Sequence, residues 1–291
     1  MSTGGIEVGG TKWVCAVADP DGGIVARTTF PTTTPDVTIS QALEFFRANG
    51  PLSAIGIGAF GPIDLHPSSR TFGHVTTTPK PGWAHTDLVS PFADGLEVPV
   101  VFETDVNAAA FGEWRRGSCV GLDTFCYVTV GTGIGGGAVV NGRLLHGLMH
   151  PELGHVRVPH DWKRDPFMGS CPYHGDCLEG LASGPALLQR WGQPAELLSD
   201  GAAWDLEAEY LALGLANVVH VLAPQRIVVG GGVAKQARLL PLVRSRLREV
   251  LAGYLDVPPL RDAALDSYVV PPGLGDLSGV IGAIELARGG D

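Results

Sequence analysis

Little of this chain is charged. Of 291 residues, 17% are Asp, Glu, Lys or Arg, and only four are lysine. Lys and Arg total 20 against 30 Asp and Glu, a formal net charge of −10. A chain this acidic is a poor candidate for general binding to nucleic acid or to an anionic membrane, which needs a basic footprint, although a local basic patch stays open. Long apolar runs are missing as well. The longest, Leu211 to Ala223, carries Asn217 and His220 and falls short of the ~20 residues that span a bilayer. Five cysteines, an odd count, do not make a secreted disulfide framework, and no basic patch followed by an apolar stretch opens the chain. The expectation is a cytoplasmic protein with reduced thiols.

What is present is a core and many turns. Hydrophobic residues make up 45% and glycines number 41. The glycines fall between apolar runs, which predicts tight turns rather than a linker. At about 150 residues per domain the length predicts two domains or one large one. Ile6 to Ala18, interrupted by a Gly9-Gly10-Thr11 turn, and Ile24 to Phe30 read as the two strands of a β-hairpin. Ile39 to Arg47 has helical spacing, Ala54 to Phe60 and Val98 to Phe102 read as strands, and Val106 to Arg116 as a helix. Residues 66–85 read as a long surface loop. The second half opens alike: strand Thr124 to Val130, a Gly-rich turn over Gly131 to Gly137, strand Ala138 to Val140, then an Asn141-Gly142 type I′ hairpin. A helix over Ala202 to Leu222 stopped by Pro224, a strand over Arg226 to Val229 ending in Gly230-Gly231-Gly232, and helices over Leu239 to Leu251 and Val280 to Arg288 complete it. Strand, Gly-rich turn, strand thus occurs twice, which predicts two related α/β lobes with a boundary near 116–122.

Three Gly-rich turns each follow an apolar strand, and backbone N–H groups at such turns bind phosphate. Two familiar motifs are excluded. Gly131, Gly133 and Gly136 match the dinucleotide spacing, but a strand follows instead of a helix. Gly5 to Gly10 before Thr11-Lys12 resembles a P-loop with its Lys and Thr in the wrong order. Asp105 stands where a strand gives way to a helix. There a partly desolvated carboxylate accepts a proton from a substrate hydroxyl, or else caps the helix; Thr104 is the rival cap.

The most specific spacing is Cys171-x2-His174-x2-Cys177 with His155 sixteen residues earlier. Two thiolates and two imidazoles suit a closed, structural Zn²⁺ site. His160 and Asp176 are rival ligands, and a Cys171–Cys177 disulfide is the alternative. Glu152 and Glu179 flank this loop, either as acceptors for sugar hydroxyls or as solvated surface charges. Cys15, Cys119 and Cys126 read as core thiols.

In order, these motifs resemble the ROK family of sugar kinases, and most of all its bacterial fructokinase branch. The resemblance rests on Glu7 to Lys12, Gly58 to Pro62, Thr77 to Trp83, Glu103 to Ala109, Val130 to Gly137, Glu152 to His155, the Cys/His loop with Glu179-Gly180, and Val229 to Val233. It implies the actin-like ATPase (ribonuclease H-like) duplication, an α/β fold of two lobes around a central cleft. Residues 1–117 would form the N-terminal lobe and 118–291 the C-terminal lobe, with the last helix returning to the first.

By the same resemblance, Asp105 is the catalytic base. Gly9, Gly10, Thr11 and Lys12 belong to the first phosphate loop, and Gly131, Thr132 and Gly133 to the second. Gly230, Gly231 and Gly232 lie near the adenosine. Gly61, Pro62, Glu152, His155 and Glu179 contact sugar, and His155 also ligates zinc. Glu7 stands where most of the family has Asp and is the candidate Mg²⁺ contact. Thr104 replaces an Asn, and His174 a Cys; both changes argue against a typical glucokinase. The implied activity is phosphorylation of a hexose, D-fructose first, with ATP and Mg²⁺, by a homodimer. A glucokinase or mannokinase, a non-catalytic sugar-binding regulator and a zinc-stabilised interaction module are the alternatives. Only six residues precede the motif that begins at Glu7, so no DNA-binding module is expected.

Overall fold

The computed structural model describes residues 1–289, and the chain divides into two compact units. The first holds residues 1–120, 144–151 and the segment from Asp276 onward; the second holds 121–143 and 152–275.

In the first unit β1 (Ser2–Val8), β2 (Lys12–Ala18) and β3 (Ile24–Pro31) form an antiparallel meander, so the Gly9-Gly10-Thr11 turn reverses the chain instead of interrupting one strand. Helix α1 (Pro35–Ala48) leads to β4 (Leu52–Ala59), which lies parallel to β1. Helix α2 (Ser90–Leu96) precedes β5 (Val100–Thr104), which runs parallel to β4 and passes directly into α3 (Asp105–Arg116). The sheet order is β3-β2-β1-β4-β5. β2 shows why this sheet is a central layer. Trp13, Cys15 and Val17 face one apolar cluster with Ile55, Ile57 and Phe92, while Val14, Ala16 and Ala18 face another with Val280 and Ile284. Period-two alternation with both faces apolar is the mark of a strand covered on both sides.

The second unit repeats the plan. β6 (Phe125–Val130) and β7 (Ile134–Val140) are antiparallel, and β8 (Arg143–Leu144) follows. Short helices α4 (Leu178–Ala182) and α5 (Gly184–Trp191) and the long α6 (Gly201–Leu222) precede β9 (Ile227–Gly230), which lies parallel to β6. Helices α7 (Leu239–Leu251) and α8 (Leu265–Tyr268) lead to β10 (Val269–Val270), parallel to β9; α9 (Ser278–Ala287) then belongs to the first unit. The order β10-β9-β6-β7-β8 is that of the first sheet read from its other edge. Asn141 and Gly142 both have positive φ (51° and 72°), as a type I′ turn requires. In α6, Leu211, Ala212, Leu215, Ala216, Val218 and Val219 are buried in the second unit's core. No helix among the described residues is long and apolar enough to cross a membrane.

Two further expectations change. Several glycines serve close packing inside regular elements, not turns. A Cβ on Gly56 of β4 would stand 1.8 Å from the Ala283 carbonyl oxygen of α9, and one on Gly282 would stand 1.6 Å from that of Ala108 in α3. Gly135 to Gly137 likewise lie within β7 rather than in a turn. The segment 66–85 is irregular but not merely superficial. Trp83 is fully buried, its indole N–H donates to the Thr33 carbonyl (2.8 Å), and its ring lies 5.8 Å from Trp13.

Candidate active site

The first Gly-rich turn joins β1 to β2. Gly9 N–H donates to the Lys12 carbonyl (3.1 Å), Thr32 Oγ1 donates to the Gly9 carbonyl (2.6 Å), and Thr32 N–H donates to the Thr11 carbonyl (2.9 Å). The turn is thus braced from β3's side. Just before it, Glu7 is pushed up to about 7. Burial is the main cause, and the charges of Asp105 and Asp276 add to it; Lys12 and the Val280 N–H work against it. Glu7 Oε2 is buried without a hydrogen-bond partner, and a Cβ on Gly279 would stand 2.6 Å from the Glu7 carboxyl carbon. A buried, unpartnered carboxylate oxygen beside a second carboxylate fits a hard divalent cation.

Asp105 opens α3, and Thr104 is the N-cap: its Oγ1 accepts from Asn107 N–H (3.1 Å). Asp105 is thereby released from the capping role, although its Oδ1 accepts from Val106 N–H (2.8 Å). Burial raises it to about 6, and backbone hydrogen bonds only partly offset this. At neutral pH it is mainly a carboxylate, yet more basic than an ordinary Asp. Gly58 allows α3 to start here: a Cβ on it would stand 2.7 Å from the Ala108 Cβ.

Sequence reasoning missed the surroundings of Asp105. The segment 144–151 leaves β8 and docks on the first unit through two histidines. His146 Nε2 pairs with Oε2 of the buried Glu103 (2.7 Å), whose Oε1 accepts from Asn107 Nδ2 (3.1 Å). Glu103 raises His146. His150 Nε2 accepts from Ile63 N–H (3.1 Å), next to Gly61 and Pro62, and its burial lowers it. Thr76 Oγ1 donates to the Pro62 carbonyl (3.0 Å). Nothing in local spacing marks these partners, which are up to 87 residues apart.

In the second unit, Gly131 N–H donates to the Gly133 carbonyl (2.9 Å), and the Gly131 carbonyl accepts from Gly184 N–H at the start of α5 (2.7 Å). Gly231 has φ +92°, and a Cβ on it would stand 2.3 Å from the Val130 carbonyl oxygen. That contact seats Gly230 to Gly232 against the end of β6; a Cβ on Gly131 would lie 3.6 Å from Gly232 N. The structure therefore brings these two Gly-rich segments together, with Thr132 between the glycines of the first.

The Cys/His loop closes as its spacing predicts. One ligand atom each from His155, Cys171, His174 and Cys177 lies within 4.8 Å of the others. Zn–N and Zn–S bonds of ~2.0–2.3 Å give tetrahedron edges of roughly 3.3–3.8 Å. The two Nδ1 atoms stand 3.3 Å apart; His155 Nδ1 is 3.7 Å from Cys171 Sγ and 3.5 Å from Cys177 Sγ, and His174 Nδ1 is 3.6 Å from Cys171 Sγ. These residues fit a zinc ion, and all five cysteines are free thiols, including Cys171 and Cys177.

The rival ligands are otherwise engaged. His160 meets Asp176 Oδ2 (3.3 Å) through Nδ1 and the Asp165 carbonyl (2.9 Å) through Nε2, and Arg157 also pairs with Asp176. With Nδ1 turned to the ligand cluster, His155 presents Nε2 toward Glu152 Oε2 at 4.0 Å. Glu179, in the first turn of α4 two residues after Cys177, accepts through Oε2 from Ile134 N–H (2.9 Å). The cysteine–histidine loop and the second Gly-rich turn are thus tied by one carboxylate.

A family model described as ROK family matches residues 3–289. The chain belongs to the ROK family. It is 44% identical over 270 residues to a fructokinase of Lactococcus lactis subsp. cremoris, covering 92% of this chain and 90% of the relative. It is 42% identical over 296 residues to a fructokinase of Zymomonas mobilis subsp. mobilis, covering 98% and 95%. Among solved structures, a ROK family glucokinase from Streptomyces griseus in complex with glucose and AMPPNP superposes with TM-score 0.79, at 28% identity and 100% coverage of both chains. The α/β fold with two mixed sheets is that of the ROK sugar kinases.

Proposed function

We propose that this ROK protein is an ATP-dependent hexose kinase that converts D-fructose to fructose 6-phosphate. The observation that carries the chemistry is Asp105: it begins α3, is spared from capping by Thr104, and is raised to about 6 by burial. The choice of fructose draws on the relatives named fructokinase and on Thr104 and His174, which depart from the glucokinase pattern.

In this reading the 6-hydroxyl oxygen of the sugar forms a bond to the γ-phosphorus of ATP as the bond to the bridging oxygen breaks. The proton passes to Asp105 and ADP leaves. Asp105 holds the acceptor hydroxyl and takes its proton. Glu152, Glu179, Gly61, Pro62 and the Nε2 of His155 bind the other sugar groups. Backbone donors of Gly9 to Lys12 and of Gly131 to Gly133 bind the phosphates, and Gly230 to Gly232 border the adenosine.

Glu7, with its buried and unpartnered Oε2, would hold Mg²⁺, which when bound with ATP would supply charge neutralisation on the transferring group. His155, Cys171, His174 and Cys177 would hold a zinc ion, which would supply a rigid cross-link and orient the His155 ring. The proposed assembly is a homodimer, checked by sedimentation, and the proposed location is the cytoplasm. A coupled ADP-release assay across fructose, glucose, mannose and N-acetylated hexoses tests the reading. It predicts the highest kcat/KM for fructose. A higher value for another hexose overturns the choice of sugar, and no ADP with any hexose overturns the kinase.

A further inference from the structure

The motif Thr77 to Trp83 has no role in the site described so far, yet the fold carries it to the first Gly-rich turn. Trp83 is fully buried, hydrogen-bonded to the Thr33 carbonyl, and packed on Trp13, which follows Lys12 of that turn. Within this anchored segment Trp83 N–H donates to the Lys80 carbonyl (3.3 Å), and Lys80 N–H donates to Thr78 Oγ1 (3.3 Å). The backbone of Lys80 is therefore held a short distance from the turn.

Its side chain continues the approach. A Cβ built on Gly10 meets one neighbour within 4 Å, the Lys80 Cδ at 4.0 Å. Apart from that methylene stem, the face of Gly10 is open. No carboxylate pairs with Lys80 among the described residues, and its side chain is only partly exposed. Charge sharpens the point. The turn stands beside Glu7, which feels the charges of Asp105 and Asp276 as well as that of Lys12. A triphosphate brought to such a place is repelled by these acids, and a cationic side chain adds to the neutralisation that Mg²⁺ at Glu7 would supply. One of only four lysines in the chain lies over the turn on a braced loop.

We propose, on the basis of the kinase reading above, that Lys80 is a ligand for the terminal phosphate of ATP. It contacts the γ-phosphoryl group over Gly10 and follows its charge as the group transfers. A lysine is a point-charge donor suited to a group that changes partners during the reaction.

The test compares two nucleotides on the purified full-length protein and its Lys80→Met and Lys80→Arg variants. Calorimetry measures binding of AMPPNP, which has a γ-phosphoryl group, and ADP, which lacks one. Melting temperature monitors the loop. Lys80→Met is expected to weaken AMPPNP and to lower kcat/KM for ATP by at least about tenfold, with ADP affinity and melting temperature unchanged. Lys80→Arg restores part of both losses. Equal weakening of ADP and AMPPNP with a lower melting temperature would assign Lys80 to loop scaffolding and overturn the proposal. So would a loss confined to the fructose KM, or no change in any parameter. If the wild-type protein phosphorylates no hexose, the kinase reading fails by itself, and the AMPPNP-against-ADP comparison still decides whether Lys80 reads the terminal phosphate.

Discussion

The two units share one scaffold and differ in what is mounted on it. In each, the first strand forms a hairpin through a Gly-rich turn and lies parallel to a later strand. The register is the same: Glu7 of β1 faces Gly58 of β4, and Thr129 of β6 faces Gly230 of β9. The acid Glu7 therefore has a threonine as its counterpart. The first unit gathers the carboxylates Asp105 and Asp276 about Glu7, just before its turn, and packs the backbone of α9 on β4 at Gly56 and on α3 at Gly282. The second unit has Thr129 in the place of Glu7, and the acid at its turn comes from a helix. Glu179 holds its turn instead, and the cysteine–histidine cluster holds the start of the helix carrying Glu179. In the proposed reading the repeated scaffold supplies backbone phosphate donors twice, and cations are added on the acid side. Proton removal needs one basic carboxylate, which a single copy supplies.

Breaking the acid side is expected to have the largest effect. Asp105→Asn leaves the hydrogen bond from Val106 available and should preserve fructose binding by calorimetry. It should lower kcat by about a thousandfold or more, because the proton acceptor is lost. Breaking the metal side acts through structure. Chelation, or Cys171→Ser, should release about one zinc per chain, lower the melting temperature and weaken fructose binding. Full activity and unchanged melting in metal-free protein would count against the zinc assignment.

A third substitution tests the packing difference. Gly56 of β4 corresponds by register to Val228 of β9. Gly56→Val should destabilise the protein by roughly 1–3 kcal/mol or more in denaturant titrations, since even a Cβ there would collide with the Ala283 carbonyl. The smallest effect is expected from Glu179→Gln. It keeps an acceptor for Ile134 N–H but loses the charge, and should change the KM values for ATP and fructose by less than about tenfold with little change in melting.

The architecture was legible wherever local chemistry forces a structure. Asn141-Gly142 dictates a turn with two positive φ angles, and Cys171-x2-His174-x2-Cys177 can reach one point only as a tight loop. Thr104 could be named as the cap that frees Asp105 because both lie within one helical turn. What stayed hidden depends on partners distant in sequence. The backbone contact of Gly56 with α9 joins residues far apart, so its strand was legible but the reason for a glycine there was not. Trp83 looks like part of a polar loop until Trp13 and Thr33 are beside it. Glu103 and His146 carry no spacing signal, since their pairing arises only when 144–151 docks on the first unit.

The central claim is that Asp105 is the base, made more basic than usual by burial. Its active form is the carboxylate, and its value of about 6 lies above the ordinary 3.8. Activity should therefore be full above that value and fall as pH drops through it. The direct test is the pH dependence of kcat/KM for fructose at saturating ATP, in the wild type and in Glu7→Gln, because Glu7 is raised as well. An acid limb near pH 6 that persists in Glu7→Gln is predicted. A profile that stays flat through pH 6, or a limb that disappears with Glu7, would contradict the assignment.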